Sequence, residues 1–249
     1  MSKPTFYAGT SGWSYDHWKE IFYPKGLKSN QWLPHYAKYF NTVELNMSFY
    51  RFPFPNMIKG WKNKLPESFK MTFKANRNIT HRKVFKGVDD SLKKFYDMTG
   101  NFGENTGCIL FQTPPSFKLT DENFGRIKEF LPKLDKDKCN VMEFRDTSWW
   151  SKEVLNLLKD YNVAFTTVSG LDMPEDVMIS ADFAYFRFHG PGEAYASEYS
   201  EDQLQQWSDK IKKAIAQYGL KEVFCYFNND FYGFAIKNAQ SLKGMLENG

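Results

Sequence analysis

Cysteine is scarce in this 249-residue chain. Cys108, Cys139 and Cys225 show no C-x-x-C spacing, and their odd number leaves one thiol over in any disulfide scheme. Disulfide scaffolds and zinc ribbons are thereby excluded, and a reducing compartment, the cytoplasm, fits. No run reaches the roughly 18–20 uninterrupted apolar residues of a membrane span, and Met1-Ser2-Lys3-Pro4 lacks the apolar core of a signal peptide. No membrane partner is expected. Histidine is limited to His17, His35, His81 and His189, with no H-E-x-x-H, which argues against a dedicated zinc site. No G-x-G-x-x-G follows the first strand-like run and no G-x-x-x-x-G-K-[ST] occurs, so dinucleotide-binding and P-loop folds lose their signatures.

What is present is the material of a full core: 42% hydrophobic residues, 18% aromatic and 25% charged. Disorder and fibre are excluded. The charge is unevenly placed. Residues 1–100 carry 17 Lys and Arg against 7 Asp and Glu, whereas the remainder carries 16 against 22. Between Lys59 and Lys94, 11 bases face 3 acids. Such a run is either a solvated face or a surface for anionic ligands.

Eight short β-rich runs recur: Phe6–Thr10, Thr42–Asn46, Lys70–Lys74, Cys108–Gln112, Val141–Arg145, Ala164–Val168, Tyr185–His189 and Val223–Phe227. Amphipathic helices are predicted between most of them, at Gln31–Phe40, Met57–Lys64, Ser91–Met98, Asp121–Leu131, Lys152–Tyr161, Glu201–Tyr218 and Phe234–Leu246. Ser200 with Gln203 forms a capping box, Gly219 suits the C′ position of the same helix, and Thr120 and Ser151 are good N-caps. Pro174 leaves only a short or irregular helix after the sixth strand. Strand–helix alternation implies parallel pairing through right-handed crossovers. Eight units over residues 1–249 predict an α/β fold, a single-domain (β/α)8 TIM-like barrel, with an open doubly wound sheet as the alternative.

The two-residue strand period turns Thr42, Glu44 and Asn46 inward while Val43 and Leu45 face the helices. It likewise turns in Thr72 and Lys74, Glu143 and Arg145, and Tyr185, Arg187 and His189. Barrel interiors are ordinarily filled by branched apolar residues, and an unpaired buried ion costs several kcal/mol, so charge at these positions needs compensation. The charged members and His189 lie from the middle to the end of their strands and converge on the C-terminal mouth, where barrel enzymes hold their active sites. Either a ligand uses them or they neutralise one another in an interior salt-bridge network.

Glu44, Glu143, His189 and Asp230 are the candidate catalytic residues: the carboxylates as general acid or base, His189 as a proton shuttle. Trp13, Tyr15, Tyr50 and Trp149 lie in or near predicted mouth loops and would supply aromatic platforms for a sugar ring. The last two strands end His189-Gly190-Pro191-Gly192 and Asn228-Asn229-Asp230, the latter with Gly233 just before a helix; both suggest main-chain cradles for an anion. With Lys74, Arg145, Arg187 and the basic loop Asn76–Lys83 they favour a small anionic or phosphate-bearing substrate. No cofactor is certain, although Glu44, Glu143 and Asp230 would suffice for a hard divalent cation such as magnesium.

At these residues the chain resembles the YecE-like family, domain of unknown function 72. The matching blocks include Gly9-Thr10-Ser11-Gly12-Trp13-Ser14-Tyr15, Thr42-Val43-Glu44-Leu45-Asn46, Phe111-Gln112, Glu143-Phe144-Arg145, Arg187-Phe188-His189-Gly190 and Tyr226-Phe227-Asn228-Asn229-Asp230. The chain departs from the family pattern at Met47-Ser48, Thr113, Asp146-Thr147 and Ser169. The resemblance implies a TIM-like barrel and no established activity. The matching blocks also contain Ser11, Asn46, Gln112, Asn228 and Asn229, which complete the candidate substrate contacts. Three readings follow. One is an enzyme for phosphoester hydrolysis or transfer at the mouth, with nucleic acid among its candidate substrates. The others are a carbohydrate-active hydrolase or isomerase with paired carboxylates, and a non-catalytic nucleic-acid-binding module.

Overall fold

The structure, a computed structural model, describes residues 4–248; the leader expectation at Met1–Lys3 lies outside them. The strands are β1 (Thr5–Thr10), β2 (Thr42–Leu45), β3 (Lys70–Lys74), β4 (Thr106–Gln112), β5 (Cys139–Glu143), β6 (Ala164–Ser169), β7 (Phe183–Phe188) and β8 (Glu222–Phe227). All pairs are parallel, in the order β1-β8-β7-β6-β5-β4-β3-β2. The helices are α1 (Trp32–Tyr36), α2 (Met47–Tyr50), α3 (Pro55–Lys62), α4 (Asp89–Gly100), α5 (Asp121–Phe130), α6 (Lys152–Asp160), α7 (Glu201–Tyr218) and α8 (Phe234–Glu247). This is an α/β TIM-like barrel. Among the described residues no helix is long and apolar enough to cross a membrane.

Local chemistry sets the helix ends. Ser200 and Gln203 make the reciprocal capping box of α7, and Gly219 ends that helix at φ 64° in the left-handed region. Thr120 and Ser151 accept from the N–H groups of Asn123 and Val154 at the starts of α5 and α6. The expected helix after β6 is absent. Gly170, Leu171 and Asp172 all have positive φ, which a right-handed helix cannot contain. The following segment is instead an extended strap: Thr167 Oγ1 accepts from Met178 N–H, and the Ser180 hydroxyl donates to Val163 C=O while accepting from Phe165 N–H. The helix predicted at Gln31–Phe40 is also shorter, because the chain turns after Tyr36 to enter β2.

The strap and helices cover the outer face of the sheet, where Val43, Phe73, Phe111, Phe144 and Phe188 are buried. Between β1 and β2 the main-chain ladder is replaced by side chains. The Tyr36 hydroxyl accepts from Thr10 N–H at 2.9 Å and donates to Thr42 C=O at 3.1 Å, while Asn41 Nδ2 donates to Phe6 C=O at 2.7 Å. Gly9 permits this approach: a Cβ there would lie 2.2 Å from the Thr42 carbonyl oxygen. Inside, Tyr7, Leu110, Val141, Phe183 and Phe224 form an apolar plug. Above it, the Tyr226 hydroxyl hydrogen-bonds with the Thr42 and Thr72 hydroxyls at 2.6 and 2.8 Å. Charge begins one layer higher, so polarity rises along the axis towards the mouth.

Candidate functional site at the barrel mouth

β2, β5 and β7 meet through one guanidinium. Arg187 Nε and Nη2 donate to the two carboxylate oxygens of Glu44, at 2.9 and 2.6 Å, and Nη1 donates to Glu143 Oε2 at 2.8 Å. Tyr185 adds a hydroxyl donor to Glu44 Oε2 at 2.7 Å, and Arg145 Nη1 donates to Glu143 Oε1 at 2.6 Å. Glu44 and Glu143 are wholly buried, and Arg187 is 2% exposed. Two acids and two bases thus cancel in a closed network, the geometry in which a buried ion cluster repays its desolvation. Burial opposes ionisation of Glu143, but the guanidiniums of Arg187 and Arg145 outweigh it and hold its carboxyl well below the usual carboxylate range. Both carboxylates are spoken for, which removes the free acid–base pair expected of them.

Over this floor lies a cavity of about 360 Å³. Asn46, Lys74, Gln112, Arg145, Arg187 and His189 line it from strand ends, Tyr15, Tyr50 and Asn228 from the segments beside them, together with Phe49 and Tyr195, which sequence reasoning missed. Phe49 lies on α2, where the helical turn breaks the strand period that identified Asn46; its proximity to Tyr50 was the available signal. Tyr195 comes from the loop after β7 with φ 69°, and its ring meets His189 edge-on.

Lys74 is the cation this arrangement leaves over. Its Nζ sits 4.5 Å from the centre of the Phe49 ring, and no ion pair or hydrogen bond to it is found among the described residues. Burial, reinforced by the Arg187 guanidinium, pushes its pKa down to about 8. His189 is held neutral, since burial and then Arg187 drive its pKa well below the ordinary value. Asn228 Nδ2 lies 3.3 Å from His189 Nδ1 and serves as its donor, so the ring proton belongs on Nε2, a buried atom with no partner. His81, edge-on to Phe49, is also neutral, its pKa lowered to about 4 by burial and by Lys74. With the network cancelling, the mouth carries one net positive charge while Lys74 is protonated.

Several expected contacts fall elsewhere. Trp149 is not a mouth platform: it is completely buried, stacked on Phe144 and Phe117, with Nε1 donating to Phe117 C=O. Asn229 is structural, its Nδ2 donating to Ser197 C=O and Asn238 Oδ1. Asp230 joins the β8 loop to the β1 loop, its carbonyl accepting from His17 Nε2 and Trp18 Nε1, and burial raises its carboxyl pKa. Glu44, Glu143 and Asp230 do not assemble a cation site, and among the described residues no cluster of three potential ligands does. Part of the expected amide cradles is also spent locally. Gly190 N–H donates to the Tyr199 hydroxyl, Gly192 N–H to Ser197 Oγ, and Ala235 and Ile236 N–H to Asn229 and Gly233 carbonyls. Ser11 and Trp13 line a neighbouring cavity that shares Tyr15 and Asn46 with the mouth.

Comparison with known proteins agrees with this architecture. The chain is 26% identical to the UPF0759 protein YunF of Bacillus subtilis (strain 168) over 97% of this chain and 94% of that one. It is 28% identical to the UPF0759 protein YecE of Escherichia coli (strain K12), over 59% of this chain and 50% of that one. The crystal structure of a DUF72 family protein from Thermotoga maritima superposes with a TM-score of 0.88 at 29% identity, covering 98% of this chain and 99% of that one. Residues 7–249 match the family model described as protein of unknown function DUF72, and the chain belongs to that family.

Proposed function

We propose that the mouth is the active site of an enzyme acting on a small phosphate-bearing substrate. The observation that carries this reading is Lys74: a partly buried ammonium without a carboxylate, above a network whose own charges cancel. An unpaired cation in such surroundings is expensive, and an anionic group beside it removes the expense. Arg145, 14% exposed, and the His189 Nε2–H supply further donors, so negative charge developing on a phosphoryl group meets a preorganised set. The general-base role expected of Glu44 or Glu143 is closed to Glu143, which stays ionised and guanidinium-bound; protonated Lys74, with a pKa of about 8, instead holds the phosphoryl group and can give its proton to the leaving oxygen as a general acid. His189, neutral throughout, donates a hydrogen bond to a substrate oxygen instead of shuttling a proton. Phosphate in a nucleic-acid backbone falls within the same reading. The exposed rings of Tyr50, Phe54, Phe231 and Tyr232, with the Arg77 guanidinium 5.9 Å from the Tyr50 ring, support that version.

Sulfate tests the reading, because its charge is constant across the relevant range. Protonated Lys74 is the binding form, so calorimetric affinity is expected to be flat below about pH 7 and to fall by up to about tenfold per pH unit above about pH 8. The arginines remain charged and His189 and His81 remain neutral over that range. Affinity that is independent of pH up to about 9.5, or absent at every pH, rejects the proposal.

A further inference from the structure

We infer that the substrate carries an aromatic or heteroaromatic ring, seated in the cavity beside the mouth. The inference rests on the anionic reading of the mouth and extends it to the rest of the molecule. The neighbouring cavity, about 430 Å³, lies within the range of small-ligand sites, and its walls include Trp13, Met47, Met57 and Trp61. Trp13 and Trp61 meet edge to face at 5.5 Å, presenting aromatic surface, and the two thioethers are suited to packing on a ring. Tyr15 and Asn46 belong to both cavities, so one molecule can place its anion on Lys74 and its ring against the tryptophans.

The shared wall also shows where a polar group of that molecule belongs. Asn46 Nδ2 donates to Ser11 C=O at 3.2 Å, leaving Asn46 Oδ1 as an acceptor. That oxygen and the hydroxyl of Ser11, a residue 2% exposed, are buried without a hydrogen-bond partner. Orphaned buried polar atoms are uncommon, and two at one junction call for a ligand with an N–H or O–H between its anion and its ring.

The test compares phenyl phosphate with methyl phosphate, which share a head group and differ in the ring, by calorimetry on the full chain. Wild type is expected to bind phenyl phosphate about tenfold tighter. Trp61→Ala, which removes a wall, and Met57→Trp, which fills the space without deleting packing, are each expected to bring the affinity ratio to about one. If methyl phosphate binds and the ring adds nothing in wild type, the ring subsite is wrong and the anion site stands. Should neither compound bind, the anion reading fails and takes this inference with it.

Discussion

Replacing Arg187 with Met is expected to destabilise the protein by about 3–5 kcal/mol, measured as a shift in the denaturant midpoint at neutral pH. The residue donates three hydrogen bonds to two wholly buried carboxylates, and no substitution of similar volume restores them. Glu44 would keep only the Tyr185 hydroxyl and Glu143 only Arg145. The pH dependence identifies the cause. In wild type the folded-state pKa of Glu143 is depressed, so its contribution is present above the unfolded value of about 4.5 and is lost as pH falls below it. In the variant the uncompensated carboxyls are raised in the folded state, so protonating them relieves the defect. The gap between the two proteins should therefore narrow as pH is lowered from 7 towards 5. A variant within about 1 kcal/mol of wild type would show that the network is not what supports the upper barrel. Arg187→Lys keeps a charge but not the planar fork that serves two acids, and should recover only part of the loss.

Lys74→Met should move stability the other way. The residue's folded pKa of about 8 lies below its unfolded value of about 10.5, so the native state pays for the proton at neutral pH. A tenfold change in proton affinity is worth about 1.4 kcal/mol; with part of the effect screened at the solvent-facing mouth, methionine is expected to stabilise by about 1–3 kcal/mol at pH 7. The sign follows from linkage. Between about pH 8 and 10.5 the unfolded chain binds more protons than the native one, so wild-type stability rises with pH and the advantage of methionine fades across that window. Sulfate binding should be lost in the same variant. A residue that weakens the fold and is needed for the ligand has the signature of a functional position. If the variant is less stable at pH 7, Lys74 is a structural cation and the proposed site loses its centre.

The sequence makes the scaffold legible because strand parity and capping are local. Val43 and Leu45 must face the helices for β2 to be buried, and that alone points Glu44 inward. Parity gives direction but not partner. It places Glu44, Glu143 and Arg187 inside the barrel, yet only tertiary geometry seats one guanidinium between both acids, turning an expected acid–base pair into a neutral floor. Loop aromatics are harder still, since hydrophobic rings suit a platform and a core equally. Trp149 reads in the sequence as a mouth platform, whereas in the structure it extends the Phe117 and Phe144 stack. The strap after β6 replaces even the short helix that Pro174 allows because Leu171 and Asp172 adopt left-handed backbone, a conformation that aspartate visits but leucine does not announce.

In the proposed function, the mouth's four paired charges cancel and Lys74 recruits an anion. The most direct test is the titration of the Lys74 side chain, followed by NMR of selectively labelled protein with and without sulfate. The side chain is expected to titrate at about 8 in the free protein and higher when sulfate is bound. A value near the ordinary 10.5 of lysine, unmoved by sulfate, would contradict the proposal.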